Sequence, residues 1–220
     1  MSEFWEVLTE HFPEFVSGFL TTVRLVAVAF LISIAVGIFV ASFRVAPSKW
    51  LNRLGAIYVE YFRNIPLLIL LFIIFYGLPQ ELGIEEQVAG TVGLGLYTAA
   101  YVAETIRSGV FAVGKGQIEA SLSLGFTYPQ TLRRIVLPQA IRTVIPPLGS
   151  LTIAMIKNSA VVGGALAVSD LLRVAREVNA DAGSAFTHET FFWAAVGYLV
   201  LTITATIIVR RLETRLAIRR

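Results

Sequence analysis

Two short polar groups stand inside otherwise apolar runs and are the natural candidates for chemistry. Glu104, with Arg107 one turn on, interrupts the apolar stretch Gln87 to Gly114, and Lys157-Asn158-Ser159 interrupts Thr143 to Ser169. Ionisable groups placed in such surroundings are costly, so they mark either a polar path or a compensating pair. An ammonium flanked by two small polar side chains suits a carboxylate ligand, and a carboxylate suits a cationic one. Two bland readings stay open beside these: Glu104 pairs with Arg107, or Glu104 and Lys157 form a bridge between helices. Other chemistry is poorly supplied. The chain has no Cys and only His11 and His188, which removes a thiolate centre, a disulfide framework and a multi-histidine metal cluster. Gly109-x4-Gly114-Lys115 mimics a phosphate-binding loop, but Gly116 stands where a magnesium-binding hydroxyl is required, and the run follows an apolar helix instead of a strand.

The elements that carry these residues are set by composition. Of 220 residues, 56% are hydrophobic and 15% charged, with a mean hydropathy of +0.74. That is more apolar surface than a soluble domain of this size can bury, and a net charge of +3 gives no argument for nucleic acid. The reading is an all-α integral membrane protein. Spans of roughly 20 apolar residues are expected at about 15–43, 57–79, 87–113, 143–167 and 190–210, five in all. By helix rise, Glu104 lies roughly 25 Å into the third span and Lys157 roughly 21 Å into the fourth. Arg24, near the outer end of the first, can snorkel and is given no role.

Charge sets the expected orientation. Fourteen Lys and Arg fall in the 44–63 and 107–142 segments and the tail, whereas the other side has Arg173 and Arg176 against eleven acids. Basic loops stay cytoplasmic, so the N-terminus is expected outside and the C-terminus inside. The acidic start MSEFWEVLTE reads as no cleavable signal, with Trp5 and Phe12 at the interface. The organisation expected is an external segment 1–14, one membrane domain 15–212 and a basic tail 213–220. Ser33, Gly37 and Ala41 form a small-residue stripe suited to helix packing, as do Ala160 with Gly164 and Gly163 with Ala167. Asp170, Arg173 and Glu177 are spaced to pair on an exposed outer helix, either as a docking element or as a solvated face.

The segment between spans three and four, 115–138, is too patterned for a connector. Gly116 as N-cap would put Glu119 at the third helical position, where it meets free amides and the positive helix end. Ile118, Leu122 and Phe126 make an apolar stripe, Gly125 stops the helix, Pro129 opens the next piece and Pro138 closes it. A short, half-apolar helix of this kind fits a partner's groove or the lipid surface.

These residues resemble a known pattern. Glu119-Ala120-Ser121, three residues, Gly125, nine residues, then Ile135-x-Leu137-Pro138 is similar to the EAA motif of ABC importer permeases, with Ser121 in place of the third Ala. YVEYFRNIPLL at 58–68, YVAETIRSG at 101–109, LPQAIR at 137–142, PPLG at 146–149 and KNS at 157–159 resemble the polar amino-acid permeases, and RVAPSK at 44–49 looks most like the actinobacterial glutamate-uptake group. The resemblance implies a type I importer permease in the bacterial cell membrane, which binds no cofactor itself. Its implied partners are two ATP-binding subunits carrying ATP and Mg, a second permease subunit (a copy or a sister chain), and an external solute-binding protein. Glu119, Ala120, Ser121 and Gly125 would then couple to the ATPase. Glu104 would meet the ammonium of a polar amino acid, glutamate in first place, and Lys157, Asn158 and Ser159 its carboxylates. The competing readings are an ion-coupled secondary transporter working alone, for which five spans without a repeat are few, and an intramembrane enzyme, for which a conventional general base is missing.

Overall fold

The computed structural model describes residues 2–77, 83–181 and 187–216, and among these every regular element is helical. Leu78 and Pro79 of the expected second span, and Arg219 and Arg220 of the tail, lie outside the described residues. After a short α1 (Ser2–Glu10), α2 runs from Phe12 to Val45, thirty-four residues or about 50 Å. Pro13 and Glu14 occupy its first turn, where a missing N–H costs nothing and a negative charge meets the helix dipole. Trp5 of α1 packs against Trp193 with the rings tilted and their centroids 5.7 Å apart.

The centre of the bundle is α5 (Glu86–Phe111), which touches α2, α8, α3 and α4. Its buried side is built largely of Ala89, Gly90, Gly93, Ala99, Ala100 and Ala103, and α2 answers with Ala29, Ser33, Gly37 and Ala41. Between membrane helices association comes from close packing rather than from the hydrophobic effect. Gly37 shows how close: a Cβ there would collide with Val102. A helix wrapped by other helices needs little lipid-facing apolar surface, which explains why α5 can be so rich in Gly, Thr and charge. Among the described residues, three helical runs are long and apolar enough to cross a membrane unaided, Phe12–Val45, Tyr128–Leu166 and Thr187–Arg215. The helix α5 is not one of them.

The continuous helix expected over 57–79 is not formed. Instead α3 (Lys49–Asn64) and α4 (Leu67–Tyr76) meet at 105°. Pro66 is the cause: its ring pushes Ile65 out of the helical region, to φ −94 and ψ 133, and it has no N–H to continue the ladder. By contrast Pro146 and Pro147 stay inside α8 (Leu137–Leu166).

Asp170 corrects a second expectation. It is fully buried instead of pairing with Arg173 on an outer surface. Its carboxylate caps α9 (Leu171–Asp181) by accepting the Arg173 N–H at 2.9 Å and takes the Tyr198 hydroxyl of α10 (Thr187–Leu216) at 2.6 Å. Burial raises this carboxyl above its ordinary value, opposed by the Tyr198 and Arg173 bonds. Gly163 lies against it, where a Cβ would strike the carboxylate. The small residue there makes room for Asp170. Thr22 of α2 accepts the Leu171 N–H at 3.2 Å, so α9 is tied to three long helices. Only Arg173 and Glu177 form the exposed pair, at 2.6 Å.

Candidate functional site

The patterned segment folds into α6 (Lys115–Ser123), a one-turn α7 (Tyr128–Thr131) and a π-helical turn (Leu132–Val136) that runs into α8. Gly114, not Gly116, is the N-cap, so Glu119 is the fifth residue of α6 and lies beyond the first turn. Gly125 ends the helix as expected, with φ +85. Its N–H bonds Leu122 O at 3.0 Å and the Phe126 N–H bonds Ser121 O at 3.1 Å. This is the Schellman pattern, which satisfies the last carbonyls and needs a left-handed residue at Gly125.

The expected Ile118–Leu122–Phe126 stripe is split by that turn. Ile118 packs toward Val113, Val136 and Ala140, Phe126 is half-buried beneath the Arg134 guanidinium at 5.9 Å, and Leu122 is exposed. Ser121 is buried: its hydroxyl lies 2.8 Å from the Thr131 hydroxyl, fastening α6 to α7. Pro138 does not close a helix; it sits in the first turn of α8. Pro138 has no N–H to offer the Arg134 carbonyl four residues back, and in the π turn just before it the Leu137 N–H bonds Leu132 O, five residues back. What the element presents outward is Glu119, Ala120, Leu122, Leu124 and Tyr128, with Leu124 79% exposed.

Glu104 is held firmly. Arg107 Nε lies 3.0 Å from both carboxylate oxygens, and Nη2 of Arg44, at the end of α2, lies 3.5 Å from Oε2. Arg44 also bonds the Asn52 side chain of α3 at 3.3 Å. Two helices, α2 and α5, therefore meet at one carboxylate, and α3 joins them through Arg44. Beside it opens a cavity of about 370 Å³ between α3, α5 and α8, walled by Arg63, Tyr101, Glu104, Thr105, Ser108 and Thr143. The Arg63 guanidinium stands over the Tyr101 ring at 5.4 Å. Arg44 and Arg63 escaped sequence reasoning because each reads as one more basic residue of a loop; only the YxxE spacing of Tyr101 and Glu104 hinted at a shared wall.

Lys157, Asn158 and Ser159 are not brought to this cavity. Antiparallel packing sets Gly109 against Val144 and Gly90 against Val162, which puts Glu104 level with Leu148 and Gly149. Lys157 is then roughly 13 Å further along α8. It is exposed and, among the described residues, makes no ion pair with Glu104. Asn158 is half-buried, and the fully buried Ser159 hydroxyl donates to Ile156 O at 2.7 Å.

The described residues thus form a bundle with membrane-length helices and a structured helical segment between α5 and α8. Residues 33–218 match the binding-protein-dependent transport system inner membrane components, and the chain belongs to that family. The probable glutamine ABC transporter permease protein GlnM of Bacillus subtilis is 42% identical, over 96% of each chain. The glutamate/aspartate import permease protein GltJ of Escherichia coli K12 is 32% identical, over 85% of this chain and 82% of its own. A crystal structure of an amino acid ABC transporter with histidines covers 94% of this chain and 96% of its own, at TM-score 0.87 and 34% identity. The MetNI methionine ABC transporter, inward facing, shares the fold at TM-score 0.78 and 22% identity, over 95% of this chain and 99% of its own. The protein is thus an inner-membrane permease subunit of an ABC importer for amino acids, with ATP hydrolysis on separate subunits.

Proposed function

We propose that this chain is the permease of a type I importer that carries a polar amino acid inward, glutamate in first place, with α6 as the helix that docks in the ATPase groove. The observation that carries the coupling role is the Schellman-capped α6, which turns Glu119, Ala120, Leu122 and Leu124 outward while Ser121 anchors it from behind. Gly125 supplies the turn. The preference for an anionic substrate rests on charge. Arg63 and Glu104 line the cavity, and Arg44 and Arg107 pair with Glu104 from outside that lining, so the wall together with the groups behind it is net cationic. Such a wall compensates the hydration that a side-chain carboxylate loses on entry, and Glu104 remains for the ammonium. Among the relatives, GltJ is named for glutamate/aspartate, which supports the anionic reading, and GlnM for glutamine, which supports the broader polar amino-acid class. Lys157, with Asn158 beside it, serves the substrate carboxylate at a separate position along α8, enclosed when a second permease chain is present, while the expected third member, Ser159, is buried behind them with its hydroxyl on Ile156 O.

The test is reconstitution of the chain with its ATP-binding subunits and solute-binding protein in proteoliposomes. ATP-driven uptake of labelled glutamate is expected, competed by glutamine and not by arginine. Arginine as the transported species would overturn the anionic reading, and glutamate uptake by the chain alone under an ion gradient would overturn the importer reading.

The same reading places five spans with the N-terminus outside, the bent α3–α4 pair being the second and α5 the third. Single cysteines at Glu85 and Ala180 should react with an impermeant thiol reagent from outside, and those at Gln117 and Arg215 should not. Labelling of Gln117 in intact cells would reverse the orientation and remove α6 from the ATPase.

A further inference from the structure

The helices α2, α8 and α10 leave an open groove of about 600 Å³ between them. Val26 and Phe30 line it from α2, Leu148 and Thr152 from α8, and Ala205 and Ile208 from α10. The wall is apolar, and the Thr152 hydroxyl is spent on Leu148 O at 2.9 Å. At its floor α8 and α10 approach so closely that a Cβ on Gly149 would strike Val209. Its rims stay open: Phe30 is 37% exposed and Ile208 53%. All three walls belong to the most apolar, membrane-length runs of the chain, so the medium that reaches the groove is lipid rather than water.

Length and charge identify the occupant. Along α8 and α10 the lining extends from Ile145 to Ile156 and from Leu201 to Leu212, about 16 Å of helix on each, and along α2 from Phe19 to Ile34, about 22 Å; one leaflet of hydrocarbon is about 15 Å deep. Ile145 and Leu212 are the last lining residues at one end. One helical turn beyond them, in register with the same faces, stand Arg142 on α8 and Arg215 on α10. Both are exposed and, among the described residues, neither makes an ion pair. Along α8 and α10 the groove is therefore one leaflet long, apolar along its wall and cationic where a headgroup would lie.

We propose that this groove holds an acyl chain of an anionic phospholipid from the leaflet at the basic end of the bundle, with Arg142 and Arg215 on its phosphate. Basic residues between membrane helices at headgroup depth are suited to this task. The lipid fills a seam that α2, α8 and α10 do not close by themselves.

The assembled importer, reconstituted in nanodiscs holding phosphatidylglycerol and phosphatidylcholine in equal parts and then stripped with detergent, should retain phosphatidylglycerol by native mass spectrometry. In Arg142→Gln/Arg215→Gln the preference for phosphatidylglycerol should fall roughly tenfold, and Ala205→Trp should retain neither lipid. A second measurement does not depend on that tryptophan being accommodated. A fluorophore on Ile208→Cys, at the rim, should be quenched more by doxyl-phosphatidylglycerol than by doxyl-phosphatidylcholine. Equal quenching by the two lipids overturns the proposal, as does an unchanged lipid preference in the double arginine variant. Disulfide formation between Ile208→Cys residues of two copies also overturns it, because a second permease chain would then occupy the groove.

Discussion

Replacing Gly125 by valine should leave the chain inserted in the membrane and lower ATP-driven uptake at least tenfold. At φ +85 a β-branched side chain meets strain of about 1–3 kcal/mol, which is enough to open the two bonds that close α6 at Leu122 and Ser121. The long helices do not depend on those bonds, so insertion survives. What changes is the direction in which Glu119, Leu122 and Leu124 project. Gly125→Asn is the control, since asparagine accepts the left-handed conformation and should keep most of the activity. Glu119→Lys reverses an exposed charge without disturbing the backbone, and should lose transport and substrate-stimulated ATP hydrolysis together. Normal uptake in both Gly125→Val and Glu119→Lys, with the ATP-binding subunits co-purifying as usual, would remove α6 from the coupling interface.

Glu104 and Lys157 should behave as independent sites. Glu104→Gln leaves Arg44 and Arg107 without their counter-charge, so both assembly and uptake should suffer, uptake by tenfold or more. Lys157→Met removes a group with no ion pair among the described residues. It should lower uptake while assembly and basal ATP hydrolysis stay normal. Because the two lie roughly 13 Å apart along the bundle, the double variant should show the product of the two losses, as expected for sites that share no contact. Uptake restored in the double variant would mean that they neutralise each other, and would leave the chain without the substrate groups assigned above. The measurement is initial uptake rate in proteoliposomes, beside size-exclusion profiles that report assembly.

The sequence alone determined the features that obey local rules. Long apolar runs become α2, α8 and α10 because hydrogen bonding within a helix is the way a chain satisfies its own backbone in lipid. The end of α6 at Gly125 is legible because a left-handed residue is a property of one position and its immediate neighbours. The family is legible because its motif is a spacing along the chain. The break at Pro66 was half-legible: proline announces an interruption, but the 105° turn follows from how α4 packs on α5 and α8. Tertiary structure decided the rest. Arg44 reaches Glu104 across 60 residues, and no periodicity in either segment encodes that meeting. Asp170 reads as a surface acid from its neighbours Arg173 and Glu177, and becomes a buried cap only when Tyr198 and Gly163 arrive from other helices. The lipid-length groove is likewise absent from any one helix, since it exists only as the space that three of them leave open. Backbone hydrogen bonding within a helix and strain at a single residue act between neighbours in sequence, whereas burial and the pairing of distant side chains depend on which helices meet.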